Sequence, residues 1–201
     1  MRRKWLKRIM ALCMLCAIYM LGREGAVLVD KTAENSKGVI VIDSGHGGID
    51  PGVVGIGNLE EKEVNLKIAG YLAEYLEKEG YETVLTRKTD SGLYEENSRN
   101  KKVQDMQKRC AIIKETKPIL TVSIHQNSYP DSSVCGPQVF YYTNSVQGSK
   151  LANCIQGELN TQLEVSKPRT EKANQTYYLL KLSEGILNIV ETGFLTHPRE
   201  A

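Results

Sequence analysis

The sequence predicts an α/β domain in three layers, with a mostly parallel mixed sheet of about six strands and helices on both faces of the sheet. Segments rich in β-branched residues alternate with segments whose apolar residues recur at helical spacing, which is typical of such folds. The first of the β-rich segments, Val39 to Ile42, is apolar throughout, as in a parallel strand buried on both faces. Titratable residues directly follow three of the predicted strands, at the edge where α/β sheets form their sites.

The N-terminus precedes this domain and predicts export. Five Lys or Arg residues lie before residue 9, and Ile9 to Leu21 is then an apolar run of 13 residues without a charge. A basic head and a run of this length are typical of a signal peptide, whereas a membrane span needs roughly 18 or more apolar residues. No clear small-x-small cleavage site follows. We therefore expect residues 1–30 to be a signal peptide or an N-terminal membrane anchor with a linker, and residues 31–201 to be the folded domain.

The helix predicted after the first strand has the clearest pattern. Apolar residues between Asn58 and Glu79 recur on one helical face, at Val64, Ile68, Leu72, Tyr75 and Leu76, and Gly80 stands where a helix C-cap is expected. The remaining elements follow in chain order: a strand over 81–86, a helix over 98–116, strands over 119–124 and 138–142, a helix over 146–163, and a last pair of strands over 177–182 and 186–190.

Charge, cysteine spacing and motifs exclude several classes of function. The net charge of +2 comes largely from the N-terminus, so the domain is close to neutral, which argues against a nucleic-acid partner. The domain cysteines, Cys110, Cys135 and Cys154, are widely spaced without a CxxC pair, which indicates neither a disulfide framework nor a cysteine zinc site. The sequence also lacks HExxH and Gly-x-Ser-x-Gly, so the commonest zincin and serine-hydrolase classes are excluded.

Two histidines and two glutamates are the candidate functional residues. His46 follows the first predicted strand, His125 follows the strand over 119–124, and Glu191 follows the last one. If these strands are neighbours, two imidazoles face one cleft, and Glu61 in the first turn of the first helix can add a carboxylate. Such a set can hold a catalytic zinc with an open position, although the same donors serve other first-row metals. Glu191 is the candidate general base that later returns the proton to the leaving amine.

Each of these residues also has a structural interpretation. Asn58 and Glu61 match the spacing of a helix capping box, which the spacing alone favours over metal binding for Glu61. His46 and His125 could equally be neutral polar residues in strand-end loops, and Glu191 could bond backbone amides after its strand. These alternatives stay open on the residues alone.

Four segments stand in the order of a known enzyme family: residues 41–52 (VIDSGHGGIDPG), 61–66 (EKEVNL), 123–127 (SIHQN) and 190–195 (VETGFL). Together they make residues 38–201 resemble the zinc-dependent N-acetylmuramoyl-L-alanine amidases of the type-3 class. The resemblance implies that His46, Glu61 and His125 bind Zn²⁺ and that Glu191 is the catalytic glutamate. It also implies that Glu61 is a metal ligand even if it caps its helix.

The resemblance further implies an exported, extracytoplasmic hydrolase of the amide bond between N-acetylmuramic acid and L-alanine in peptidoglycan. Residues 86–109, 135–142 and 172–180 are similar to the spore-cortex branch, which removes stem peptides so that muramic-δ-lactam can form. We expect Asn127, Gly47 and Gly48 to contact substrate, and an activating lipoprotein or other protein is a candidate partner. The alternatives are a truncated, inactive peptidoglycan-binding relative and a zinc peptidase that acts on stem peptides.

The sequence departs from the family pattern at three places. Ser44 replaces the proline that often precedes Gly-His-Gly, and Gly185-Ile-Leu replaces the Ile-Pro that usually leads into the last strand. Family members also continue beyond the position of Ala201 into a further helix that packs on the domain. The resemblance therefore implies a domain over residues 31–201 without that C-terminal helix.

Overall fold

The computed structural model describes residues 36–165 and 167–201. Residues Gly38–Ala201 form one compact unit, while the predicted signal peptide or anchor over residues 1–30 lies outside the described residues. Within the described part of the chain, no helix has the length and apolar character that a bilayer span requires.

A six-stranded sheet with the order β2-β1-β3-β6-β4-β5 forms the centre of the domain. Its strands are β1 (Val39–Ser44), β2 (Glu82–Leu85), β3 (Leu120–Asn127), β4 (Gln138–Tyr142), β5 (Lys172–Asn174) and β6 (Leu187–Phe194). β4 pairs antiparallel with β6, and the other four neighbouring pairs are parallel. The mostly parallel mixed sheet predicted from the sequence is therefore confirmed.

Helices cover both faces of the sheet, as predicted. They are α1 (Glu61–Lys78), α2 (Lys101–Thr116), α3 (Val146–Gln162) and the short α4 (Tyr178–Leu182). Successive side chains of β1 point to opposite faces: Ile40 and Ile42 pack against Ala69 of α1, whereas Val41 packs against Ile113 of α2. Because both faces of β1 are buried, its first four residues, Val39 to Ile42, are all apolar.

The predicted strand over residues 177–182 is wrong, because Tyr178–Leu182 is the helix α4. The side-chain oxygen of Asn174 accepts hydrogen bonds from the backbone N–H groups of Thr176 and Tyr177, both at 2.8 Å. This turn ends β5 and directs the chain into the helix, where Leu179 is buried in the core. The two tyrosines favour a strand here, but the local turn and the burial of one helical face decide the outcome.

Candidate metal centre

The strands that precede the candidate residues are neighbours in the sheet. β3 lies between β1 and β6, and His125 is paired in register with Glu191. His46 follows the carboxyl end of β1, and its ring centroid lies 5.0 Å from that of His125. The prediction that three strand ends meet at one edge is therefore confirmed.

The carboxylate of Glu61 lies between the two imidazoles. Its Oε1 is 2.9 Å from Nδ1 of His125, and its Oε2 is 3.2 Å from Nε2 of His46. Glu61 is 2% exposed, and its oxygens also accept hydrogen bonds from the backbone N–H groups of Val53 and Gln126. Burial alone would raise the pKa of Glu61, but its hydrogen bonds to His125 and His46 outweigh burial and hold the pKa below its usual range.

Glu61 does not belong to a capping box. The helix begins at Glu61 itself, and its N-cap residue is Glu60, which makes no side-chain cap hydrogen bond. Asn58 lies in a preceding 3-10 turn with φ of 62°. The capping interpretation of Asn58 and Glu61 is therefore wrong, since the Glu61 side chain is turned into the cleft rather than back along the helix.

The loop after β1 holds His46 in an unusual backbone conformation. His46 has φ of 61°, a left-handed conformation that costs a non-glycine residue energy and is common at functional sites. Arg109 donates to the His46 carbonyl at 2.6 Å, and Arg87 donates to the carbonyls of Ser44 and Gly45 at 3.0 Å. Two buried guanidinium groups thereby fix the loop that presents the imidazole.

Asp50 fixes the other side of the His46 ring. Its Oδ2 lies 3.0 Å from Nδ1 of His46, and its Oδ1 lies 3.0 Å from Nζ of Lys102. A carboxylate at Nδ1 favours the tautomer with the proton on that nitrogen. The free electron pair is then on Nε2, the nitrogen that faces Glu61. Sequence analysis did not single out Asp50, although it stands four residues after His46 within the family segment over 41–52.

The donor set fits a divalent metal ion. One ligand atom from each of His46, Glu61 and His125 can be chosen so that all three lie within 4.8 Å of one another. Two imidazoles and one carboxylate are a donor set of catalytic zinc sites, which keep a position open for water or substrate. The set also has supporting hydrogen bonds that orient the ligands: Asp50 accepts from Nδ1 of His46, and Asn65 donates to Glu61.

Glu191 lies beside this cluster and lacks a protein partner for one oxygen. Its Oε2 is buried without a hydrogen bond among the described residues. Burial raises the pKa of Glu191, and the charge of Glu61 raises it further, while His125 and His46 oppose the shift. A half-buried carboxylate with a raised pKa and a free oxygen is suited to taking up and releasing a proton.

A buried ion-pair network lies beneath the cluster. Arg109 and Asp43 are 2% and 1% exposed, and Nη1 of Arg109 lies 2.6 Å from Oδ1 of Asp43. Asp105 pairs with Nε of Arg109 at 2.6 Å, and Ser123 donates to Asp43 at 2.5 Å. The network ties β1, β3 and α2 together directly under His46.

Two cavities meet at the cluster. The first, of about 300 Å³, has an apolar and aromatic wall that includes Ile49, Tyr94, Met106, Tyr177 and Tyr178. The second, of about 370 Å³, is more polar: Gln126, Asn127 and Ser128 line it together with Gly52 and Val53. His46, Asp50, Lys102, His125 and Glu191 line both cavities. A substrate can therefore extend from the cluster in two chemically different directions.

The residues predicted to contact substrate are divided between these cavities and the loop. Gly47 lines the apolar cavity and Asn127 lines the polar one. The backbone of Gly48 is engaged by the protein, since its N–H donates to Asp90 and its carbonyl accepts from Lys62.

Tyr177 was missed as a site residue because its segment was predicted to be a strand. The third histidine, His197, lies in a turn and accepts from the N–H of Arg199.

The chain is similar to known proteins over most of its length. A profile of the N-acetylmuramoyl-L-alanine amidase family matches residues 40–201. The germination-specific N-acetylmuramoyl-L-alanine amidase of Bacillus subtilis is 35% identical over 167 residues, covering 81% of this chain and 69% of that protein.

Solved structures give the same result. The CwlD amidase of Clostridioides difficile, in complex with the GerS lipoprotein, is 35% identical with a TM-score of 0.78, and the match covers 82% of this chain and 86% of that one. The amidase AmiC2 of Nostoc punctiforme is 32% identical with a TM-score of 0.69, covering 81% and 82%. The resemblance drawn from the four sequence segments is thus confirmed, and the chain belongs to the N-acetylmuramoyl-L-alanine amidase family of enzymes.

Proposed function

We propose that this enzyme uses zinc to hydrolyse the amide bond between N-acetylmuramic acid and L-alanine in peptidoglycan. His46, Glu61 and His125 hold the metal ion, and Glu191 is the catalytic glutamate. The observation that carries the proposal is the position of the Glu61 carboxylate, 2.9 Å from one imidazole and 3.2 Å from the other, in a cleft next to Glu191.

Zinc bound to these residues supplies Lewis-acid chemistry, because the dication polarises a carbonyl group and lowers the pKa of water. The residues of the chain supply the remaining functions. Asp50 and Asn65 orient His46 and Glu61 through their hydrogen bonds. The Glu191 carboxylate takes the proton from the attacking water and then donates it to the nitrogen of L-alanine, so that the amine can leave.

The proposal includes a role in the spore cortex, where removal of the stem peptide allows muramic-δ-lactam to form. The cortex role is supported by the 35% identity to a germination-specific amidase.

We also propose that the enzyme is exported through its N-terminal segment, and that a lipoprotein is its activating partner. The solved complex of CwlD with the GerS lipoprotein supports the choice of partner class.

Metal content and product analysis test the catalytic part of the proposal. The purified full chain is assayed on peptidoglycan beside three variants: His125→Ala, Glu191→Gln and, as a control, Glu63→Gln, which changes an exposed glutamate of α1. We expect about one zinc per chain and new L-alanine amino termini in wild type and control. Glu191→Gln should keep its zinc and lose about 10²- to 10⁴-fold in rate, whereas His125→Ala should lose both.

The same assay distinguishes the alternatives. New carboxyl termini inside the stem peptide, with the muramoyl amide intact, would identify a zinc peptidase. Zinc binding without hydrolysis, unchanged when a lipoprotein partner is added, would identify a peptidoglycan-binding protein.

For the cortex role, the gene is expressed in a spore former that lacks its own cortex amidase, and muramic-δ-lactam is measured in the spores. Absence of lactam despite an active enzyme would contradict that role.

A further inference from the structure

We propose that the apolar cavity beside the metal centre binds the sugar of the substrate, and that the stem peptide occupies the polar cavity on the other side. This inference rests on the proposed function, since it assigns the two halves of the proposed substrate. It names Tyr177 and Tyr178 as the side chains that contact the muramoyl sugar.

The position of the metal cluster divides the substrate between the two cavities. His46, His125 and Glu191 line both cavities, so the reacting amide lies at their junction. A saccharide is attached on the carbonyl side of that amide and a peptide on the nitrogen side. Each half therefore has to leave the junction by a different route.

Charge does not distinguish the two cavities, because Asp50, Glu191 and Lys102 line both of them. The assignment therefore rests on the remaining residues of each wall, which are largely apolar and aromatic in the first cavity and include side-chain amides and a hydroxyl in the second.

The tyrosines of the same wall have the chemistry that a sugar requires. Tyr177 and Tyr178 are 38% and 41% exposed, so ring surface remains accessible at the cavity. A pyranose presents an apolar C–H face and a rim of hydroxyl groups, and a tyrosine offers a flat apolar ring with a hydroxyl at its tip. Tyr177 is held from behind by Phe140, whose ring centroid lies 5.3 Å away, so its ring is fixed before substrate arrives.

The polar cavity suits the peptide instead. Asn127 accepts from the N–H of Ser128 with its side-chain oxygen, which leaves the amide N–H₂ group available to a carbonyl or carboxylate. Gln126 also lines this wall, but its buried side chain already bonds Asn65 and Thr192. The Asn127 amide and the Ser128 hydroxyl are therefore the groups that can bond a peptide backbone here.

A pair of substrates with the same scissile amide tests the assignment. One is a disaccharide tetrapeptide, and the other is the lactoyl tetrapeptide that remains after chemical elimination of the sugar. The zinc-loaded full chain is assayed on both, as wild type and as Tyr177→Ala, Tyr177→Phe, Tyr178→Ala and the control Tyr75→Ala, which removes a 63% exposed tyrosine of α1.

We expect Tyr177→Ala and Tyr178→Ala to lower kcat/KM on the disaccharide peptide by about five- to tenfold each, as the loss of one aromatic contact implies. Their kcat/KM on the lactoyl peptide should equal that of wild type. Tyr177→Phe, which keeps the ring, should retain most of its activity, and Tyr75→Ala all of it. An equal loss on both substrates, or a loss that depends on peptide length, would overturn the assignment.

A binding measurement separates this inference from the proposed function. If wild type hydrolyses neither substrate, even after a lipoprotein partner is added, the proposed function fails, and binding of the peptide-free disaccharide is then measured by saturation-transfer NMR. Transfer to the sugar in wild type and Tyr75→Ala, reduced in Tyr177→Ala and Tyr178→Ala, supports the sugar site without any turnover. Transfer that is equal in all four proteins, or absent from wild type, rejects it.

Discussion

Arg109 and Asp43 form an ion pair of 2.6 Å directly beneath the loop that carries His46. The same guanidinium donates to the backbone carbonyl of His46, also at 2.6 Å. One side chain therefore neutralises a buried carboxylate and fixes the backbone of a proposed metal ligand. The stability of the domain and the geometry of its site depend on the same contact.

Replacement of Arg109 by methionine should destabilise the domain strongly. The variant leaves the 1% exposed carboxylate of Asp43 without its cation, and breaking a buried pair from one side costs about 3–5 kcal/mol. Urea unfolding measures the change, with Lys108→Met, an exposed position of α2, as the control. If both variants lose the same free energy of unfolding, the pair does not stabilise the fold.

The free energy of unfolding should fall in acid because of Asp43. Burial alone would raise the pKa of Asp43, but Arg109 and the Ser123 hydrogen bond outweigh burial and lower the pKa. Between this lowered pKa and the unfolded value of about 3.9, the unfolded state binds the proton more readily, so stability rises with pH. The contribution is complete above that unfolded value and is lost as pH falls through the folded pKa.

Denaturation at a series of pH values from neutral to strongly acidic checks this expectation. Asp43→Asn removes the titrating group and should show a smaller acid slope than wild type, whatever its absolute stability. Glu63→Gln serves as the control, since Glu63 is an exposed carboxylate of α1. A slope in Asp43→Asn as steep as in wild type would contradict the assignment.

Replacement of Asp50 by alanine should weaken zinc binding. The carboxylate lies 3.0 Å from Nδ1 of His46, and loss of such a partner costs a metal site about 10- to 100-fold in affinity. Competition with a chelator measures the dissociation constant, independently of turnover. Lys102→Ala removes the cation on the far side of Asp50 but keeps the carboxylate, so it should bind zinc almost as wild type does. Equal affinity in wild type and Asp50→Ala would disprove the role.

Replacement of Gly45 by alanine should displace His125. A Cβ at Gly45 would overlap the imidazole ring of His125, and forced overpacking costs about 1–3 kcal/mol. Both zinc affinity and thermal stability should fall. Gly70→Ala is the matched control, because a Cβ there meets nothing within 4 Å and alanine in a helix interior is favoured by about 0.5–1 kcal/mol. Normal zinc affinity in Gly45→Ala would show that the ring is not constrained.

Elements with a strong repeating pattern could be predicted from the sequence, and those defined by a local contact could not. The apolar run of β1 and the amphipathic spacing of α1 appear at the predicted positions. The spacing could not tell which apolar residues are buried, and Tyr75, predicted to face inward, is 63% exposed. The three residues of β5 are too few for any periodicity, and the Asn174 turn that follows them reversed the prediction for residues 177–182.

The site residues at strand ends could be predicted because parallel topology brings carboxyl ends to one edge. That rule suffices for His46, His125 and Glu191. It does not reach Asp50 or Arg109, whose roles depend on side-chain direction. Arg109 is 2% exposed although it is charged, because Asp43, Asp105 and two backbone carbonyls bond its guanidinium. Asp43 lies 66 residues away in the sequence, so spacing does not reveal this pair.

The pairing of β1, β3 and β6 also determines when the site can exist during folding. Glu61 and His125 are separated by 64 residues, and they can meet only when β3 is paired with β1 and packed against α1. Sheet pairing across such sequence distances is slow compared with helix formation. A metal ion that binds only the completed site then stabilises the native chain by mass action. Availability of the metal ion where the chain folds would thereby control how much native enzyme accumulates.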